Sequence, residues 1–173
     1  MISDEPAHSR ITGSLRSSDG TGVVRIQDRF DSDIDDVWSA LTEPARLARW
    51  LGEVDGDLRL GGEFRARFYA SGREGNVRVQ VCEPPRRLLL TDTSSNGPDE
   101  KVTEVTLSAD GEQTILVFEQ RGMPLAYLAA YGAGNQLHIE DLAAHLAGDE
   151  RCDADARWSQ IKPAYQALKV DVD

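Results

Sequence analysis

The stretch YLAAYGAGNQLHIEDLAAHL, Tyr127–Leu146, decides how the rest of the chain is read. At about 100° per residue it sets Leu128, Ile139, Leu142 and Leu146 on one stripe, the spacing of a helix packed on a core. Asn135 falls inside that stripe, about 20° from Leu128. Gly132 and Gly134 sit beside it, and each weakens a helix by about 1 kcal/mol relative to alanine. A helix that carries an amide and two glycines where it should be greasiest takes its explanation from whatever it packs against.

Upstream of this helix the periodicity is that of strands. KVTEVTLSAD and QTILVFEQRG, RRLLLTDT, and GNVRVQVCEPP alternate, and in the last of these Val77, Val79 and Val81 are expected inward with Arg78 and Gln80 outward. DLRLGGEFRARFYASG puts Phe64, Ala66 and Phe68 on one face and Arg65, Arg67 and Tyr69 on the other. Further upstream, DSDIDDVWSALTEPARLARWLG changes period. Ser32 or Asp33 is the candidate cap for a helix bearing Ile34, Val37, Trp38 and Leu41. Pro44 suits the first turn of a second short helix with Leu47, Trp50 and Leu51, and Gly52 suits its C-terminal cap. Before that, ITGSLRSSDGTGVVRIQDRF reads as a hairpin around Asp19-Gly20, Val23–Phe30 being the stronger strand. After the long helix, DARWSQIKPAYQALK gives a shorter one bearing Trp158, Ile161, Tyr165 and Leu168, which Pro163 is expected to kink or interrupt.

Strands grouped together with helices at the ends mean α+β rather than an alternating parallel sheet. The expected architecture is a curved antiparallel sheet of six to seven strands wrapped on a long C-terminal helix, with two short helices after the first main strand. One helix covers only part of a wide sheet, so a gap between the two is expected, and such gaps bind small molecules. The organisation expected is a flexible N-terminus over 1–10, one domain over 11–147 and a C-terminal helical extension over 148–173.

The 173 residues are 40% hydrophobic and 28% charged, ordinary for a globular domain. Thirty acids against nineteen bases give a net charge of −11, which argues against nucleic acid and anionic lipid as partners. No apolar run approaches the roughly 18 residues of a membrane span. MISDEPAHSRITG has neither a basic start nor an apolar core, so no signal peptide is expected. Cys82 and Cys152 stand far apart and read as reduced cytosolic thiols. The expectation is a cytoplasmic protein, monomer or homodimer.

Four motifs in order, VWSALTEPARLARWLG (37–52), LRLGGEFRARF (58–68), VCEPPRRLLLTD (81–92) and TEVTLSADGEQTILVFEQRG (103–122), resemble the SRPBCC superfamily. More narrowly they are similar to its branch of activators of heat-shock protein 90 ATPase homologues, from about Ile11 to Leu146. The tail with Trp158 and Tyr165 resembles an extension of some bacterial members. The resemblance implies the helix-grip fold, with a deep cavity between sheet and helix. It implies little about activity, because relatives include lipid and polyketide binders, cyclases, hormone receptors and co-chaperone domains. Relatives commonly carry Gly-Trp where this chain has Gly134-Asn135, which leaves either a refilled space or a larger, more polar cavity.

The candidate cavity lining is Trp50, Phe64, Phe68, Val79, Leu90, Asp92, Val105, Leu116, Phe118, Gln120, Tyr131, Asn135 and Ile139. Within it, Asn135, Tyr131, Gln120 and Asp92 form a candidate polar patch able to orient a ligand carbonyl or hydroxyl. His138, Asp141 and His145 share one helical flank; that spacing suits a metal, and suits a solvated polar edge better. Glu104, between Thr103 and Val105, reads as outward, and Arg65, Arg67 and Arg78 as the solvent face of strands. Trp38 and Trp50 read as core anchors. No GxSxG, HExxH, Walker loop or GxGxxG is present. No cofactor, metal or catalytic residue is expected. The leading functional expectation is binding of a small hydrophobic or amphipathic molecule. The alternatives are a stress-related co-chaperone acting on a heat-shock protein 90 homologue and a polyketide cyclase- or dehydratase-like enzyme.

Overall fold

The computed structural model describes residues 11–93 and 101–172; the expected N-terminal segment 1–10 lies outside them. The hairpin β1 (Gly13–Ser18) and β2 (Thr21–Phe30) turns at Asp19 and Gly20, whose φ of 52° and 82° are those of a two-residue turn matched to strand twist. Helices α1 (Ile34–Thr42) and α2 (Pro44–Trp50) follow, with Asp33 capping α1 by accepting from Asp36 N at 2.8 Å. Then come β3 (Gly52–Gly56), β4 (Glu63–Phe68), β5 (Glu74–Glu83), β6 (Arg87–Asp92), β7 (Val102–Asp110) and β8 (Gln113–Met123). A single 3-10 turn leads into α3 (Leu128–Leu146), followed by α4 (Ala154–Gln166) and β9 (Val170–Val172).

The nine strands among the described residues form one sheet in the order β3-β4-β5-β6-β7-β8-β2-β1-β9. Every pairing is antiparallel except β9 on β1. The α+β helix-grip architecture is as expected, with more strands than the six to seven read from the sequence. The additions are short. β3 begins at Gly52, which was expected to cap α2; the cap is Leu51, and a Cβ on residue 52 would stand 2.1 Å from the Arg67 carbonyl oxygen. Glycine there lets β3 reach β4. Residues 57–62 form a turn, so the strand expected from Asp57 starts only at Glu63. At the other edge, β9 extends the sheet from a tail read as purely helical.

The register separates the two faces. Val77 and Val79 point toward α3, but a bulge between Val79 and Val81 shifts the pairing. Val81 opposite Leu89 therefore turns outward, and Cys82 takes the inward place and joins the core. Strict alternation cannot foresee a bulge. On the outer face Glu104 accepts from Arg87 at 2.7 Å and Arg121 at 3.3 Å, outward as expected, and these guanidinium groups, Arg87 first, hold its carboxyl below the usual range. Arg65 pairs with Glu74 and Arg78 with Glu63, both exposed.

The core lies between the sheet, α1, α2 and α3, with Val24, Ile26, Val37, Val79, Leu116 and Leu142 fully or almost fully buried. Trp50 anchors α2 there, its indole N–H donating to Ala40 O at 2.9 Å. Helix α4 packs on α3, and its Ile161 and Tyr165 belong to the same core. It runs unbroken through Pro163, contrary to the interruption expected. Tyr165 of α4 is fully buried and donates to Gln136 Oε1 at 2.6 Å, and the same oxygen accepts from Thr12 N at 3.0 Å. Gln136 donates to Glu140, which Arg157 holds with two bonds of 2.7 and 2.8 Å. Burial pushes the Tyr165 phenol upward, so it stays protonated as the donor this chain of bonds needs.

Candidate functional site

The sheet face toward α3 carries most of the candidate lining. Register places Phe64 and Phe68 on β4, Val79 on β5, Leu90 and Asp92 on β6, Val105 on β7, and Leu116, Phe118 and Gln120 on β8 on that one side. These residues divide by burial. Trp50, Phe64, Val79, Val105, Leu116 and Ile139 are core side chains, whereas Phe68, Leu90, Asp92, Phe118, Gln120, Tyr131 and Asn135 are only half-buried. The half-buried set borders the sheet side of α3. Phe68, Leu90, Phe118 and Tyr131 pack against the core while keeping part of their surface exposed.

The polar members are ordered by one another. Asn135 Nδ2 donates to Gln120 Oε1 at 2.7 Å, and Gln120 Nε2 donates to Thr103 Oγ1 at 3.1 Å, so a chain of amides crosses from helix to sheet. One turn earlier, Tyr131 receives a bond of 2.8 Å from Lys101 Nζ, whose ammonium stands 4.8 Å from the ring centre. Asp92 faces the same side, its backbone N–H bonded to the Lys101 carbonyl. Lys101 and Thr103 were missing from the sequence reading. Inward alternation with Val105 was their only signal, and a lysine at a strand end is ordinarily solvated.

The flank of His138, Asp141 and His145 is not the solvated edge expected, nor do the three converge. His138 lies against Phe68 with ring centres 5.4 Å apart, its Nδ1 buried, and burial lowers its pKa to about 4. Asp141 is 2% exposed and accepts from Cys152 N at 3.0 Å; burial raises its pKa, and that bond partly offsets the rise. His145 accepts from Arg46 Nε at 3.2 Å, and burial, then the cations of Arg46 and Arg49, lower its pKa. Among the described residues no group of three or more His, Cys, Asp or Glu side chains is placed to hold a metal. The Cys152 thiol is pushed up to about 12, by burial first and then by Asp141, so it is no nucleophile at neutral pH.

The two glycines of α3 have different roles. A Cβ at Gly132 would meet the Tyr165 ring at 2.6 and 2.7 Å, so that glycine seats α4. A Cβ at Gly134 would meet only Trp158, at 3.7 Å, an ordinary contact.

A groove of about 390 Å³ beside Phe64, Arg65, Glu63 and Asn76 is charged and wide open. A second, of about 660 Å³, is lined by acids including Asp31, Asp33 and Glu112. Neither has the apolar lining of a small-molecule site.

A curved sheet gripping one long helix defines the helix-grip class. The family described as "Activator of Hsp90 ATPase homolog 1-like protein" matches residues 31–147, and the chain belongs to it. Among solved structures it is similar to CalU16 from Micromonospora echinospora, at 29% identity over 92% of this chain and 96% of that one, with a TM-score of 0.74. DynU16, from the dynemicin biosynthetic locus, is 29% identical over 76% of this chain and 50% of that one, with a TM-score of 0.67. The BPP1335 protein of Bordetella parapertussis, 22% identical with a TM-score of 0.69 over 94% and 95% of the two chains, shares the fold. No curated protein sequence matches the chain. No helix among the described residues is long and apolar enough to cross a membrane.

Proposed function

We propose that the protein binds a small hydrophobic or amphipathic molecule between the sheet and α3, against Phe68, Leu90, Phe118, Gln120, Tyr131 and Asn135. The observation that carries this reading is the half-buried apolar set on the sheet face toward α3, crossed by the hydrogen-bonded side chains of Asn135, Gln120 and Thr103. The unpaired thiols of Cys82 and Cys152 support a cytoplasmic setting. A second reading, a cyclase- or dehydratase-like activity, draws support from the biosynthetic locus of DynU16 and from the neutral imidazole of His138 bordering the cleft. It needs a second titratable group facing that ring. The co-chaperone reading draws support from the family description alone.

The test is a thermal-shift screen of the purified full chain and its Asn135→Trp variant against a panel of apolar and amphipathic compounds. A ligand at a hundred times its Kd stabilises by about 2.7 kcal/mol. The expected result is a raised Tm for the parent and none for Asn135→Trp. If no compound raises the Tm of the parent and native mass spectrometry finds no retained molecule, the reading fails.

A further inference from the structure

Two buried side-chain atoms lack a hydrogen-bond partner among the described residues, Thr91 Oγ1 and His138 Nδ1. Thr91 lies between Leu90 and Asp92 on β6 and so points to the outer face of the sheet. His138 belongs to the inner face. Three residues after Asn135 and seven after Tyr131, it is on the same side of α3 as both, and its ring leans on Phe68 at 40°. The other polar side chains of the cleft already have partners. Tyr131 is bonded to Lys101, Asn135 to Gln120, and Gln120 to Thr103. His138 makes no such bond.

The imidazole has one donor and one acceptor when neutral, and its burial keeps it neutral at physiological pH. A buried N–H with no acceptor forfeits a strong interaction with water and gains nothing in return. The proton is better placed on Nε2, at the part of the half-buried ring that is not enclosed. That leaves a donor beside the Phe68 ring, on the face of α3 that carries Tyr131 and Asn135.

We propose that His138, through Nε2–H, is the specificity-determining hydrogen-bond donor of the cleft, and that it selects a carbonyl oxygen on an aromatic ligand stacked beside Phe68. The inference rests on the small-molecule reading above and names the ligand class for the same site. The aromatic body suits the Phe68 and Phe118 rings, and the carbonyl supplies the acceptor that the protein itself lacks at this point.

The experiment uses the full chain and two matched probes, 2-acetonaphthone and 2-ethylnaphthalene, which differ in the carbonyl. Affinities are measured by calorimetry for the parent, His138→Phe and His138→Gln, and the imidazole ¹⁵N shifts are recorded for the parent without ligand. A neutral hydrogen bond has a net value of about 1 kcal/mol, so the ketone is expected to bind the parent about fivefold more tightly. That preference is expected to vanish in His138→Phe and to return in part in His138→Gln, which keeps a donor. The ¹⁵N spectrum is expected to show the Nε2-protonated tautomer at pH 7. Equal binding of both probes by the parent, a preference that survives in His138→Phe, or an Nδ1-protonated ring overturns the role of His138 while leaving a binding cleft. If neither probe binds, the cleft reading fails and this inference fails with it.

Discussion

Gly132 and Gly134 stand two positions apart on α3, carry the same helical cost, and are expected to respond oppositely to alanine. At Gly134 the added methyl meets only Trp158 Cζ3 at 3.7 Å, so Gly134→Ala gains helix propensity without a clash. It is expected to stabilise the protein by about 0.5–1 kcal/mol. At Gly132 the same methyl falls 2.6 and 2.7 Å from two atoms of the Tyr165 ring and 3.2 Å from Leu15. That ring is 0% exposed, and its hydroxyl is tied to Gln136. A rigid buried ring cannot swing aside as a surface lysine would. Overpacking of this kind costs about 1–3 kcal/mol, and two sub-contact distances put it at the upper end. Subtracting about 1 kcal/mol of helix gain leaves a net loss of about 2 kcal/mol. Urea titration followed by circular dichroism reads both variants, and for a domain of this size 1 kcal/mol is about 2–4 °C in Tm. Equal stabilisation by the two substitutions would refute the claim that Gly132 exists to seat α4.

Three further outcomes follow from the same geometry. His138 is neutral and buried, with a folded pKa of about 4 against an ordinary value of 6.5. A lowered folded pKa means that the unfolded chain binds the extra proton first, so stability falls as pH drops from about 6.5 to 4, by up to about 3 kcal/mol. His138→Phe should remove that loss, and parallel acid titrations of the two proteins would refute it. Arg157→Ala leaves the Glu140 carboxylate without its two-pronged partner and should cost about 3 kcal/mol, whereas Arg65→Ala, at an exposed pair, should cost under about 1 kcal/mol. Equal losses in chemical denaturation would show that the α3–α4 pair is no more than a surface contact. The Asn135→Trp variant should keep its fold and lose ligand-induced stabilisation, and retention of that stabilisation would move the site elsewhere.

Much of this was legible in local pattern. Alternation identified the main strands, helical spacing identified α1 to α4, and Asp19-Gly20 and Asp33 announced a turn and a cap through their own backbone chemistry. These signals are short-range, so a linear string contains them. What failed was non-local. The bulge after Val79 that turns Val81 outward, the start of β3 at Gly52 and the pairing of β9 with β1 are set by neighbouring strands. Helix continuity through Pro163 shows tertiary packing overriding propensity.

The candidate site divides in the same way. Strand and helix period puts Phe68, Leu90, Phe118 and Gln120 on one sheet face and Tyr131 and Asn135 on one side of α3. It could not say that Asn135 would bond Gln120, that Lys101 would lie on Tyr131, or that the ring of His138 would lean on Phe68. Each of those depends on which strand lies under which turn of α3. The sequence determined on its own that a helix with an amide and two glycines would grip a curved sheet. Only the tertiary structure decided why: Gly132 yields to the ring of Tyr165, and Asn135 finds its partner fifteen residues back on β8. Burial and hydrogen bonding are properties of the surroundings, and in this protein the surroundings of α3 come from both ends of the chain.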